Sequence, residues 1–509
     1  MATVTGTKSH AWPPEAHAER LRLYQRYRHV YEGEHERVFT KAPYRFRYDS
    51  SRDYVAANLC GSLTDLLVSR SVGGGITLDL PDDAAGSEAW LKQLIARSRL
   101  ETQLIAFAVD CSVTGDAVFA ARFDAESGTV QLRTVDPATY FPEQSDVDTT
   151  QRIAATIGTV IPVDENKAYL WLERNEMRED GYGWIVNTLY RLTVDKTSNT
   201  AAYTYDPEDD LVPLDSIPQT ADLPEEQNTG ITRLLTVHVG NRTNKPGALG
   251  ASDYKGLMYI QGEVNNRLTQ RAEVLDKFVD PIMYGPDISD ERGKVALSED
   301  KYVITEMGGE GAPVGMIVWD AQLSAVKDEL TELRELFAVT AGIELTALVP
   351  QAGGGPQSGR AIRLSQTRTQ ATVAARQRQY EMAVQELLAL ALELAVVSGV
   401  KGAPEDGQIV QVPAEDIAVG FGDGLPQDTL GEIEEQIAML EAGVQSRVEA
   451  VMALHGLTRD AAEQMVSEID AERSTASHSL GGLLGLNGIG TEPPTMQEPP
   501  EMQPVAGEV

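Results

Sequence analysis

The longest helical pattern in the sequence runs from Ser358 to about Val397, which at ~1.5 Å per residue makes a rod of roughly 60 Å. Ser358 has the chemistry of a cap, and Gly399 followed by Pro404 is a stop. Two further helices precede it. One starts at the N-cap Ser252 and reaches about Lys277, roughly 39 Å, before Pro281 and Pro286 stop it. The other spans Leu323 to Thr340 and ends at Gly342. Between these two lies an insert, residues 287–320, with strand-like Tyr302 to Ile304 and Met316 to Trp319. The loop Ile343 to Gln357 separates the second helix from the long one.

Upstream, the spacing predicts helices over His17–Gly33, Tyr54–Val68, about Ser87–Ile95 and Glu101–Val113. From Asp116 to Tyr205 the period changes to two. Val118–Phe123 and Val130–Leu132 read as a hairpin, followed by strands at Tyr169–Leu172, Trp184–Thr193 and Ala202–Tyr205. Asp206–Asn228, acidic and proline-containing, reads as an exposed loop, and Leu235–Val239 as one more strand. The first 240 residues therefore form an α+β unit. Downstream of the long helix come strand-like Ile409–Val412 and Ile417–Phe421, then helices over Leu430–Ala442, Ser446–His455 and Arg459–Glu472. Ser474–Val509 has no Lys or Arg, four Glu and five Pro, and is expected to be a flexible tail.

Composition narrows the function classes. Acidic residues outnumber basic ones 77 to 43, a net charge of −34 on 509 residues, while 42% hydrophobic content excludes global disorder. Tight capture of nucleic acid through its phosphates needs clustered Lys and Arg, and this balance argues against it. No apolar run reaches the roughly 18 residues of a membrane span; Leu387–Val397 comes closest and is cut by Glu393. Met1–Pro14 lacks a basic region followed by an apolar one, so no secretory signal is expected. Cys60 and Cys111, each in an apolar helix-like stretch, are expected to be buried reduced thiols in a reducing compartment.

Gly354–Ala361 superficially matches a phosphate-cradling loop, but Arg360 stands in place of the lysine and Ala361 has no hydroxyl for magnesium. There is no G-x-S-x-G elbow and no H-E-x-x-H pair, and the seven histidines are scattered. Glu32, Glu34, His35 and Glu36 can ligate metal, yet they are expected at a solvated helix end without ligand spacing. Trp171, Trp184, Tyr190, Tyr203 and Tyr205 alternate with polar residues and are expected to pack a core. No catalytic residue, cofactor or metal follows from these patterns. Two charge patterns are more informative. Asp328, Glu329, Glu332 and Glu335 form an acidic stripe on one helix. Arg360, Arg363, Arg368, Arg376 and Arg378 make the head of the long helix basic, a candidate for pairing with acidic surfaces of other elements or of neighbouring subunits.

The order of elements, with the strings Tyr24–Gly33, Gly250–Tyr254, Gly262–Arg267, Val318–Leu323 and Gln357–Arg363, resembles the portal proteins of tailed bacteriophages, of the type in long-tailed phages of Gram-positive and actinobacterial hosts. The resemblance covers roughly residues 17–473. It implies an α+β fold in portal-type segments: an α/β wing (1–250), a first stem helix (251–277), a clip (278–322) and a second stem helix (323–342). A tunnel loop (343–357), the wing's long helix and return strands (358–425) and a helical crown (426–473) complete it, with the tail (474–509) outside. It implies a ring, commonly of twelve subunits, at one capsid vertex of the virion, assembled in the host cytoplasm, with no membrane partner. Double-stranded DNA would pass through its channel during packaging and ejection. The terminase large subunit, a head–tail adaptor, and major capsid and scaffolding proteins would be its partners. Glu344, Gln351, Gly353, Gly354 and Gly355 would belong to the tunnel loop, and the acidic stripe to the stem. Two other readings are a P-loop-like nucleotidase, from Gly354–Ala361, and a helical scaffold or minor capsid protein, from the long helices and acidic tail.

Overall fold

A capping side chain decides where the third helix begins. In the computed structural model β1 (His10–Trp12) is followed by α1 (Ala18–Tyr31) and α2 (His35–Phe39). α3 (Leu59–Val72) opens where Asn58 Oδ1 accepts the Gly61 amide at 2.8 Å. The expected start at Tyr54 is corrected. Ahead of the cap, the Val55 and Ala57 amides donate to Thr269 Oγ1 and Asn265 Oδ1 at 3.1 and 3.2 Å, so residues 54–58 stay non-helical. After β2 (Ile76–Asp79) come α4 (Ala85–Ser98) and α5 (Leu100–Val113). The structure describes residues 10–41, 43–44, 54–124, 127–148, 150–164, 167–195, 202–243, 248–279, 283–285, 302–304, 315–316, 323–349, 366–400, 408–422, 429–455, 459 and 462–471. The chain divides into two units, one of residues 1–356 and 362–425, the other of 357–361 and 426–509.

The strands follow in order: β3 (Asp116–Asp124), β4 (Thr129–Val135), β5 (Tyr140–Gln144), β6 (Arg152–Pro162), β7 (Ala168–Met177), β8 (Gly183–Asp195), β9 (Ala202–Tyr205), β10 (Leu211–Val212), β11 (Glu226–Asn228) and β12 (Thr236–Gly240). β3 and β4 form the expected hairpin, and β12 pairs antiparallel with the other edge of β3. β5, β6, β7 and β8 make an antiparallel meander. The far edge of β8 is covered piecewise: β11 pairs with Trp184–Val186, β10 with Leu189–Tyr190 and β9 with Thr193–Asp195. Asp206–Asn228 is thus not merely an exposed loop, because it supplies two of these strands and buries Leu214, Ile217 and Thr220.

Next come α6 (Met258–Val279), β13 (Met283–Gly285), β14 (Tyr302–Ile304), β15 (Gly315–Met316) and α7 (Leu323–Ala341). β13 pairs parallel with β14 and antiparallel with β15. α7 ends as expected at Gly342, whose φ of 81° favours a residue without Cβ. A single turn, α8 (Leu345–Leu348), precedes the long helix α9 (Thr367–Val397). The expected cap Ser358 lies outside the described residues. β16 (Ala418–Phe421) returns to pair with β2. Ile409–Val412 is not a strand; Ser87 Oγ both donates to the Val410 carbonyl and accepts its amide, each at 2.9 Å, while Ile409 and Val412 are buried.

Burial of the second half of α9 organises the core of this unit. Tyr380, Val384, Leu387, Leu388 and Leu392 pack with residues of α3, α4, α5, β3, β4 and β12 in one apolar cluster. Phe107 stacks on Phe119 at 4.0 Å and meets Tyr380 edge-on at 5.9 Å. A second cluster joins α1, α2, α3, the start of α6 and the end of α7 through Val30, Phe39, Leu63, Tyr254, Phe337 and Ile343. The other unit contains α10 (Thr429–Glu441), α11 (Arg447–His455) and helical residues 462–471, where Ala462 is buried and Arg447 meets Asp470 at 2.9 Å.

Candidate functional site at the head of the long helix

The described part of α9 opens without a side-chain cap of its own. Its first amides are instead satisfied from the loop after α7. Glu344 Oε1 accepts the Arg368 amide at 2.7 Å and Oε2 the Thr369 amide at 2.9 Å, with the Thr369 hydroxyl on the same oxygen. Partial burial raises the Glu344 pKa, but these donors outweigh it and hold the carboxyl below its ordinary value. Glu344 is therefore engaged by a helix terminus within its own chain. In the other direction, Arg368 Nη2 donates to the Val339 carbonyl at 2.9 Å and Thr372 Oγ1 to the Gly342 carbonyl at 2.8 Å.

Two turns further on, Arg376 is buried and binds Asp253. Its Nη2 lies 2.7 Å from each carboxylate oxygen. Asp253 sits just before α6, in a short turn whose cap Ser252 accepts the Tyr254 amide at 3.0 Å. Ser112 Oγ at 2.7 Å, Asn241 Nδ2 at 3.0 Å and Arg242 Nε at 3.2 Å complete its surroundings. Burial alone would raise the Asp253 pKa, yet the Arg376 guanidinium holds it below the usual carboxylate range. Arg376 thus pairs with an acid of another element of its own chain, one of the two pairings the basic stretch suggests. Beside the pair, Thr64 Oγ1 bridges Ser112 Oγ at 2.9 Å and Tyr254 Oη at 2.8 Å. Cys60 and Cys111 are buried free thiols, as expected, and burial pushes Cys111 up to about 12.

The other sequence-predicted residues fall elsewhere. Asp328, Glu332 and Glu335 are exposed on α7, while Glu329 bridges to Arg267 of α6 at 2.8 Å. Arg378 is exposed. Gln351, Gly353, Gly354, Gly355, Arg360 and Arg363 lie outside the described residues, as does most of the phosphate-loop-like string. His35 is buried, not solvated: Nε2 faces the Val30 carbonyl at 3.1 Å and Asn58 Oδ1 at 3.2 Å, and Nδ1 faces Asn265 Nδ2 at 2.8 Å. His29, Glu32 and Glu34 instead bring ligand atoms within 4.8 Å of one another, but Glu34 is already bridged to Arg37 at 2.8 Å. The aromatic set is partly buried: Trp171 Nε1 donates to Asn187 Oδ1 at 3.1 Å, and Tyr190 lies 4.8 Å from Tyr205.

Sequence reasoning missed the buried acids, two of which fasten this region. Asp253 is one; its only signal was its place after a good cap. The other is Asp116, whose Oδ1 is 2.6 Å from His238 Nε2 and accepts the Gly250 amide at 2.8 Å, while Tyr24 donates its hydroxyl to Oδ2. Arg152 lies against His238 Nδ1, and burial leads the forces that lower the imidazole pKa. Together these contacts fasten β3, β12 and the approach to α6.

No curated protein matches the chain by sequence. Among solved structures, a chain in "Neck of native GTA particle computed with C12 symmetry" is similar, with 10% identity and a TM-score of 0.37 over 78% of this chain and 89% of that one. The model of the family "Phage portal protein, SPP1 Gp6-like" matches residues 11–478. Spanning all of α1 through the last described helix, that match places the chain in the SPP1 Gp6-like phage portal protein family.

Proposed function

We propose that the chain closes into a ring, twelve-membered in its reading, at one vertex of the capsid of a long-tailed phage of a Gram-positive or actinobacterial host. The family match over residues 11–478 carries this reading. In it α6 and α7 are the stem, the insert around β13–β15 is the clip, and α9 is the spine of the wing. The start of the crown at residue 426 coincides with the boundary between the two units. Tyr259, Leu336 and Val339 support the stem assignment, because they leave 65%, 50% and 56% of their surface exposed on one packed helix pair. A neighbouring copy would cover that apolar area.

Double-stranded DNA passes through the channel in both packaging and ejection, without sequence readout. The exposed Asp328, Glu332 and Glu335 would repel the phosphates and keep binding shallow, so that the duplex slides. The tunnel loop retains Gln351 and Gly353–Gly355 as its DNA-facing residues, with Glu344 anchoring its root. Arg360, Arg363, Arg368 and Arg378 remain as basic groups for a neighbouring subunit. The terminase large subunit and later the head–tail adaptor dock on the clip, and major capsid and scaffolding proteins surround the ring. The proposed role is mechanical, with no enzymatic step or cofactor. No helix among the described residues is long and apolar enough to cross a membrane.

Native mass spectrometry with negative-stain microscopy tests the proposal. A particle of about twelve chain masses with an axial hole is the expected result, since like interfaces close into rings. A persistent monomer at micromolar concentration overturns it.

A further inference from the structure

The ends of α7 and α9 each supply what the other lacks. A helix ends with carbonyls, and begins with amides, that have no partner inside it. The carboxylate of Glu344 takes the amides of Arg368 and Thr369, while the side chains of Arg368 and Thr372 take the carbonyls of Val339 and Gly342. The Glu344 amide closes the exchange by donating to Thr369 Oγ1 at 3.1 Å. Water borders these contacts: Arg368 is exposed and Glu344 and Thr372 are only partly buried, while Thr369 behind them is buried.

The next fastening on the same helix is of a different kind. Arg376 and Asp253 have side chains 6% and 0% exposed, and neither charge can be resolvated without opening the core. The adjacent Gln377 Nε2 donates to the Ser71 carbonyl at 3.3 Å, tying in the end of α3. Tyr380 and, beyond it, Val384, Leu387, Leu388 and Leu392 are sealed in the main cluster.

We propose that the first turns of α9 form a latch that releases from and re-engages α7, pivoting on the buried Arg376–Asp253 pair as a fixed pin. At the exposed Arg368 water and Glu344 compete for the same amide, and release of that turn brings the buried Thr369 amide and hydroxyl to water as well. The pin has no such exchange available. The end of α7 and the start of α6 are thereby held by one stretch of one helix, Arg368 to Arg376, with unequal strength. The inference rests on contacts within a single chain and is independent of ring formation or DNA passage.

Hydrogen exchange on the full-length chain tests it, comparing wild type with Glu344→Ala and Thr372→Val. Losing the capping carboxylate should speed exchange at Arg368 and Thr369 about tenfold. Thr372→Val should speed it less, at the same residues, and residues 380–395 should keep wild-type protection in both variants. Unchanged exchange at Arg368 and Thr369 in Glu344→Ala overturns the latch. Acceleration running evenly from 368 to 395 overturns the pin. Should Glu344→Ala misfold, as judged by circular dichroism, Thr372→Val alone decides by the same two criteria.

Discussion

Replacing Arg376 by methionine removes the positive half of the buried pair while keeping most of the side-chain length. Asp253 would then stay fully buried among Ser112 Oγ at 2.7 Å, Asn241 Nδ2 at 3.0 Å and Arg242 Nε at 3.2 Å. Breaking a buried pair from one side costs about 3–5 kcal/mol, because the remaining charge is left in a low dielectric. Arg242 still faces Asp253 and is 41% exposed, so the expected loss lies at the lower end, about 3 kcal/mol. Urea unfolding followed by tryptophan fluorescence measures it, since all five tryptophans precede residue 320 and four of them lie in described strands or helices of the first unit. The double variant Asp253→Asn, Arg376→Met removes both charges and should recover part of the loss. A loss below about 1 kcal/mol for Arg376→Met alone, the range of a surface ion pair, would refute the assignment of this contact as a buried fastening.

Two further outcomes follow from the same region. The Glu344 carboxyl is held below its ordinary value, so its contribution is complete above the unfolded-state pKa of about 4.3 and is lost as pH falls through the lower folded-state value. Wild type should therefore be more stable than Glu344→Gln at pH 6, with the gap closing below about pH 4; a gap unchanged down to pH 3 contradicts this. Cys60 and Cys111 are 0% and 1% exposed, and burial raises both thiols. At pH 8 a thiol reagent should label neither in the native protein and both in urea; rapid native labelling would show that the core around Tyr254 opens.

Local patterns made the helices legible and left their fastenings hidden. α7 was readable almost to the residue, because its apolar spacing and its glycine stop are contained in one short window. Asp253 and Arg376 are 123 residues apart, and each alone is an ordinary charged side chain. The arginine-rich stretch was visible as a charge pattern, but only the packing separates the buried Arg376 from the exposed Arg368 and Arg378. β6 escaped notice for a different reason. Gly158 in its middle is a poor strand residue, yet a Cβ there would come within 2.2 Å of the Trp12 ring, so tertiary contact sets its identity. Glu344 stands out in the sequence as an acid near a glycine-rich loop; that its partners are amides 24 and 25 residues away is beyond any spacing rule.

The piecewise cover on β8 has a consequence for the proposed assembly of many copies. A bare thirteen-residue strand would be a template for any other chain with a free strand. Here three short segments tile it, and the seams are closed too: the Asn187 amide reaches the Glu225 carbonyl and the Arg191 amide the Asp210 carbonyl, both at 2.8 Å. Crowded copies therefore find no backbone ladder to extend along that edge. Recognition between them is left to side chains, which can specify one geometry and stop, where an open ladder would keep growing.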